Sequence, residues 1–268
     1  MGDELSRWLA LRESADFAAR SKSITGLIVK RLGDLRAVRA LDLGTGTGSN
    51  IRYLASRLNA DQQWVAIDKD PGLLAEAAER CASIAPGVQI RTRQLDLGAT
   101  LPSDLFDERH LVTASALLDL VSHSWLDNVA TECRRVGASA LFTIIYNGWN
   151  ECAPRDSEDD RVFALFNQHQ LTDKGLGGAA AGPRGTDIAR DAFTRAGFDV
   201  RVDSSNWHIT PDVRAFQTEL IAGWAYAAAE IAPLERPMID AWKARRLAHV
   251  NAGHSIIIVG HYDLAAIW

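Results

Sequence analysis

Positive charge is scarce where a nucleic-acid binder would concentrate it. The 268-residue chain has a net charge of -5, and its densest basic cluster, Lys243, Arg245 and Arg246, reads as the solvated face of a helix. A protein that neutralises phosphates normally shows a basic face, so RNA and DNA are disfavoured as partners. Cysteine is scarce too: Cys81, Cys133 and Cys152 lie far apart, form no Cys-x-x-Cys pair and cannot all be joined. That spacing argues against a zinc site and a disulfide framework, and suits buried or inert thiols in a reducing cytosol. No apolar run approaches the ~20 residues needed to cross a bilayer. The first residues, MGDELSRWLALRESADF, are charged and helix-like rather than a secretory leader. The expected location is cytoplasmic, with no membrane partner.

What is present is an ordinary globular composition, 47% apolar and 24% charged, enough for a full core. Residues 3–33 read as two helices. Seven short apolar segments then follow, at Val38–Leu43, Gln63–Ile67, Val88–Leu95, Leu111–Ala114, Ala140–Tyr146, Phe198–Asp203 and Ser255–Val259. Amphipathic helices alternate with the first five, at Ser49–Leu58, Pro71–Ile84 and Ser124–Arg135. This alternation predicts an α/β fold, a doubly wound, mostly parallel seven-stranded sheet with helices on both faces. The polar stretch 147–161 and the Gly/Ala-rich stretch 171–186 interrupt it, the second reading as a mobile loop. Later helices open near Thr210-Pro211 and cover Leu234–His249. No second independent core is expected; the inserted pieces read as a cap.

Ala40–Asn50, ALDLGTGTGSN, runs from strand through a glycine turn into a helix. Glycines there let backbone N–H groups approach a ligand closely. The spacing discriminates among ligands. Gly44, Gly46 and Gly48 give G-x-G-x-G, with Ser49 where a dinucleotide fingerprint wants its third glycine. A triphosphate loop needs a lysine that is also missing. Val65-Ala66-Ile67-Asp68 ends the next strand on an acid about twenty residues past the loop, the placement that lets a carboxylate take ribose hydroxyls.

Leu41-Asp42-Leu43-Gly44-Thr45-Gly46-Thr47-Gly48 resembles the first motif of class I S-adenosylmethionine-dependent methyltransferases, which have a Rossmann-like fold. Three further segments resemble the motifs that follow it: Asp68-Lys69-Asp70, Gln94-Leu95-Asp96-Leu97 and Leu111–Leu120. The resemblance is strongest over 36–146. It implies S-adenosyl-L-methionine as cofactor, held by loop residues Gly44, Thr45, Gly46, Gly48 and Asn50. It puts Asp42 to ordering the loop near the cofactor's ammonium, Asp68 on the ribose, and Lys69 and Asp70 near the adenine face. Asp96 would take the adenine amino group and Leu97 would add a backbone contact. Ser115 and Ala116 would border the sulfonium. The leading helix Trp8–Ser21 resembles a lid, from which Arg12 or Arg20 would pair with the cofactor carboxylate.

Methyl transfer from a sulfonium needs no metal and no covalent enzyme intermediate, so positioning can supply most of the acceleration. A base enters only if the acceptor loses a proton. Tyr146 and His208 are the leading catalytic candidates, beside Asp119 and His123. Ser115-Ala116-Leu117-Leu118 stands where amino-methylating enzymes of bases, glutamine or DNA carry Asn/Asp-Pro-Pro-Tyr/Phe. Together with the acidic balance, this points to a small-molecule acceptor. Trp149, Trp207, Trp224 and Trp242 would either line an apolar acceptor pocket or pack as core. The expected organisation is one domain, 1–268, with a lid at 1–35, a cofactor core at 36–146 and cap insertions at 147–186 and 211–249, in a monomer or homodimer. The alternatives are an NAD(P)-dependent oxidoreductase and a non-catalytic protein that binds the cofactor or serves as a scaffold.

Overall fold

Alternation of apolar segments and helices becomes a sheet in the computed structural model, which describes residues 2–82, 84 and 87–268. β1 (Ala37–Leu43), β2 (Asp61–Asp68), β3 (Val88–Gln94), β4 (Leu111–Ser115) and β5 (Ser139–Ala153) run parallel. β6 (Asp199–Ser204), β7 (Trp207–Ile209) and β8 (Ile256–Ile267) complete the sheet. The order is β3-β2-β1-β4-β5-β8-β6, with β7 also paired to β8, and β8 is antiparallel to all three of its neighbours. The described sheet thus has eight strands rather than seven, the extra one being the three-residue β7.

Two strand ends differ from the sequence reading. β5 continues through the polar 147–153, pairing Asn150 with Val259 and Ala153 with Ile256, so the cap insertion begins after Ala153. β8 runs on to Ile267, past the polar His261 and Asp263 that break its apolar pattern. β8 buries His261 and Asp263, whereas the continued β5 leaves Trp149 and Glu151 exposed, a pattern that apolar periodicity does not foresee.

The helices are α1 (Gly2–Ala19), α2 (Lys22–Leu32), α3 (Ser49–Ala55), α4 (Pro71–Cys81), α5 (His123–Val136), α6 (Asp159–Gln170), α7 (Gly185–Arg195), α8 (Arg214–Ile231) and α9 (Arg236–Asn251). Caps fix their starts: Ser21 Oγ accepts from Ile24 N at 3.1 Å, and Asp70 Oδ1 accepts from Gly72 N at 2.8 Å. α4 ends before the expected Ile84; Ser83 in that span, like Met1 in the expected lid, lies outside the described residues. Leu126, Val129, Ile188 and Phe193 of α5 and α7 bury one face of the sheet, and Ile24, Ile28, Ile51 and Leu54 of α2 and α3 the other.

Beyond these two layers, α6, α8 and α9 pack over the extended ends of β5 and β8 around a third apolar cluster. The cap therefore packs on the sheet through an apolar cluster that it shares with β5, β7 and β8. Phe163 meets Trp224 and Trp242 edge-on, with ring centroids 5.0 and 6.2 Å apart. Arg246, expected on a solvated face, is fully buried: its Nε donates to Asp159 Oδ1 at 3.0 Å and its Nη2 to Asp159 Oδ2 at 2.5 Å. Arg245 does face solvent, paired with Asp156 at 2.6 Å. Trp224 and Trp242 pack as core, and the three cysteines are buried and unbridged. Among the described residues no helix is long and apolar enough to cross a membrane.

Candidate functional site

β1 ends on the glycine loop, and two of its glycines are sterically obligatory. At Gly46, φ is 54° and a Cβ would lie 2.9 Å from the Leu9 side chain of α1; at Gly48, φ is 79° and a Cβ would lie 2.7 Å from Cys81 Sγ. Carboxylates on neighbouring strands hold the loop from beneath. Asp68 Oδ2 accepts from Gly46 N at 2.9 Å. Asp42 accepts from Thr45 Oγ1 through one oxygen and from Asn50 Nδ2 through the other, both at 2.6 Å. Asp42 is fully buried, and burial pushes its carboxyl up to about 6 against the opposing pull of these hydrogen bonds and of Arg20.

Above the C-terminal edge of the sheet lies a cavity of about 300 Å³. It runs from the loop past Asp68 to Leu97, with α1 as one wall. Leu5, Leu9, Arg12 and Asp16 face it at helical spacing. Arg12 Nε donates to Asp16 Oδ2 at 2.9 Å, and Trp207 Nε1 donates to Asp16 Oδ1 at 2.9 Å, so the far end of α1 is tied to β7. Burial raises the Asp16 carboxyl, with Arg12 opposing.

Of the residues singled out from sequence, Gly44, Thr45, Gly46, Asn50, Asp68, Lys69, Leu97 and Ser115 line this cavity. Ala116 and Arg12 line it as well, and Ala116 adopts φ 51°, the left-handed region, where a non-glycine residue is uncommon. Ile144, in the bulge of β5 next to the Thr143 carbonyl that accepts from Ala116 N, has φ 54°, with its N–H held by Asp263 Oδ1 at 2.8 Å. Backbone strain therefore gathers beside the cavity.

The other candidates lie elsewhere. Gly48 and Asp42 stand behind the wall as supports. Arg20 is buried away from it, its Nη1 donating to Asn50 Oδ1 at 2.8 Å and its guanidinium 4.2 Å from the Tyr53 ring centroid. It is thus a strut under the loop, and Arg12 is the arginine that meets the cavity. Asp96 is exposed and off the wall, its Oδ1 accepting from Gly98 N at 2.9 Å in the turn after β3. Tyr146 is buried in the cap core, its hydroxyl donating to Asn167 Oδ1 at 2.7 Å and accepting from Asn150 Nδ2 at 2.5 Å. His208 points outward on β7, since its neighbours Trp207 and Ile209 take the buried face. His123 is exposed at the start of α5.

Sequence reading missed Lys174 and Leu176, which reach the cavity wall from the Gly/Ala-rich stretch. It also missed His261, paired across the sheet with Tyr146, 4.5 Å from the Trp207 ring and pushed down to about 3 by burial. Neither had a sequence signal: one lies in a segment without period, the other inside a strand read as ending earlier.

Residues 40–139 match a family model described as a methyltransferase domain. No curated protein matches the chain. Among solved structures, a Bacillus halodurans protein with a provisional methyltransferase assignment is similar at a TM-score of 0.50 and 13% identity, over 91% of this chain and 97% of that one. The cyclopropane synthase MmaA2 of Mycobacterium tuberculosis overlaps 91% of this chain and 83% of its own, at 12% identity and a TM-score of 0.48. Phosphoethanolamine N-methyltransferase 2 of Haemonchus contortus, solved with S-adenosyl-L-methionine, overlaps all of this chain at 16% identity and a TM-score of 0.49. This chain covers 57% of that enzyme. Residues 40–139 are thus similar to a methyltransferase domain, and the sheet that carries them is Rossmann-like.

Proposed function

We propose that the chain transfers a methyl group from S-adenosyl-L-methionine to an O, N or C atom of a small molecule. The observation that carries this reading is the cavity itself, which runs along the strand ends from the glycine loop over Asp68 to Leu97. Its residues fit that cofactor. Gly46 bares the loop backbone at the cavity wall, with Leu9 of α1 close against it. Asp68 stands where ribose hydroxyls would meet a carboxylate. Arg12 offers N–H donors toward a carboxylate at the loop end, and Ser115 and Ala116 border the middle.

When bound, the cofactor would supply an electrophilic methyl on a sulfonium. The acceptor–methyl bond would form as the sulfur–methyl bond breaks, the electron pair staying on sulfur. The chain's own part is to hold the reacting atoms in line and keep water out, which α1 and the leucines of the wall are placed to do. A small acceptor is supported by the net charge of -5 and by the absence of an amino-methylating tetrad at 115–118.

Calorimetry with S-adenosylmethionine and with its demethylated product is expected to show micromolar binding, lost in Gly46→Val. Incubation with labelled cofactor and a metabolite extract, followed by mass spectrometry, would then identify the acceptor. Tight NAD binding without S-adenosylmethionine binding would sink the reading. Cofactor binding without any labelled product would leave a binding protein in its place.

A further inference from the structure

The segment joining α6 to α7, expected to be a mobile loop, is fastened along its length. Leu176 O accepts from Ser122 N at 3.1 Å, Ala181 N donates to Val121 O at 2.8 Å, and Gly182 N donates to Asp119 O at 2.8 Å. Lys174 Nζ ties it to the end of α6 by donating to His169 O at 2.8 Å. Asp173 and Ala179 pair across a bridge, and between them Gly175, Gly177 and Gly178 take φ of 74°, 90° and 118°. The chain therefore folds back sharply, and the tip of the fold reaches the turn after β3. There Gly98 and Gly175 meet backbone to backbone: a Cβ on Gly98 would drive into the Gly175 carbonyl oxygen. Leu176 and Lys174 consequently stand on the cavity wall with Leu97.

Strand order says which part of the ligand lies at that end. The glycine loop follows β1, the ribose-binding acid follows β2, and β3 is next beyond. A ligand laid from the loop across Asp68 thus presents its base at the β3 end. The acid that the sequence motif placed there, Asp96, is exposed, stands off the cavity wall and accepts from Gly98 N through Oδ1. The wall carries apolar side chains, Leu73, Leu97, Leu117 and Leu176, beside Lys69 and Lys174.

Resting on the cofactor reading above, we propose that residues 173–179 form a strap over the purine of the cofactor, with Leu176 as its cover and Gly98 as the notch that admits it. The base is then held by apolar contact between Leu176 and the leucines of the sheet side, rather than by a carboxylate on its amino group. Gly98 and Gly175 serve this arrangement by letting two backbones approach where side chains would separate them.

The test is calorimetry on the full chain with S-adenosylhomocysteine and with 5′-methylthioadenosine, which keeps the purine and lacks the amino acid part. Leu176→Ala is expected to weaken both ligands about tenfold, as the loss of several apolar contacts implies. Leu176→Met, of similar volume, is expected to stay within about threefold of wild type. Gly98→Ala, which displaces the strap without touching Leu176, is expected to weaken both as well; thermal melting checks that each variant is folded. Unchanged affinities in Leu176→Ala and Gly98→Ala would overturn the proposal. So would a loss confined to the acceptor KM, which would give the strap to the acceptor. If the wild-type chain binds neither ligand, the cofactor reading itself falls, a failure distinct from that of the strap.

Discussion

Around the glycine loop the buried groups are polar, whereas in the cap they are aromatic. Asp42, Thr45, Asn50, Thr113 and Arg20 form a hydrogen-bonded network beneath the loop, with Asn50 Nδ2 also donating to Thr113 Oγ1 at 3.1 Å. Phe163, Trp224 and Trp242 fill the cap, and Trp242 Nε1 donates to Asp159 Oδ1 at 2.8 Å beside the Arg246 pair. The difference follows from what each region has to hold. A loop whose backbone must meet a ligand has few side chains of its own to bury, so it is fixed from below by directional bonds. The cap has helices to join, and non-directional apolar packing does that with one buried ion pair to fix the register.

The largest expected effect would break the cap side of this contrast. Arg246→Met leaves Asp159 without its bidentate partner, and loss of one member of a buried pair costs about 3–5 kcal/mol. Denaturant unfolding is expected to show that loss, and S-adenosylhomocysteine affinity in the folded fraction is expected to hold. Replacing both partners, as in Arg246→Met with Asp159→Leu, is expected to cost less than the single change. A double variant as unstable as the single one would mean that the pair contributes more than the desolvation of its partner.

A smaller effect separates the polar network by pH. The Asp42 carboxyl lies near 6 in the folded chain against 3.8 for an unperturbed aspartate. The folded state therefore binds that proton more tightly than the unfolded state. Its contribution is fully present below about pH 4 and is lost as pH rises through about 6, on the order of 3 kcal/mol in all. Asp119, also raised to about 6 by burial, adds a loss of the same sign over the same range. Unfolding free energy measured from pH 4 to 7 is expected to fall in wild type and to fall less steeply in Asp42→Asn. An identical slope in the two proteins would remove Asp42 from the account.

The same contrast explains what could be read in advance. The cofactor side was legible because its demands are local: a strand, a turn that only glycine tolerates, an acid at the next strand end. Gly46 and Asp68 both line the cavity. Arg20 and Arg12 could not be told apart, since both fall in the stretch read as one leading helix and only packing against Asn50 or Trp207 decides between them. Asp96 carried a motif but stands off the wall, accepting from Gly98 N in its own turn. In the cap, Arg246 looked like surface because its partner is 87 residues away in sequence. The extension of β5 past Tyr146 was hidden because polar Asn150 and Glu151 carry it, their backbone pairing with Val259 and Ile258 of β8.

A third change sharpens the cofactor side. Asp68→Ala removes the acceptor of the Gly46 N–H and the group offered to ribose hydroxyls. Hydrogen bonds to a charged group contribute about 1.5–3 kcal/mol, so S-adenosylhomocysteine affinity is expected to fall about 10- to 100-fold. Asp68→Asn, which keeps an acceptor for the loop but not the charge, is expected to fall between. Equal affinities in all three proteins would mean that the loop needs no support from β2.

The smallest expected effect concerns Tyr146, on the border between the two regions. Its hydroxyl bridges Asn167 and Asn150 inside the cap, and burial raises its ionisation above the ordinary tyrosine range, so it carries no phenolate at neutral pH. A buried phenol that already has two amide partners, and lies off the cavity wall, is arranged as structure. Tyr146→Phe is expected to lower stability by about 1 kcal/mol, the usual net worth of such a bond, and to leave turnover within about threefold of wild type. The two readouts separate the roles: a general base would show in kcat and its pH profile, a packing residue in the melting temperature alone. A hundredfold fall in kcat with an unchanged melting temperature would put Tyr146 back among the reacting groups and draw the border of the active site into the cap.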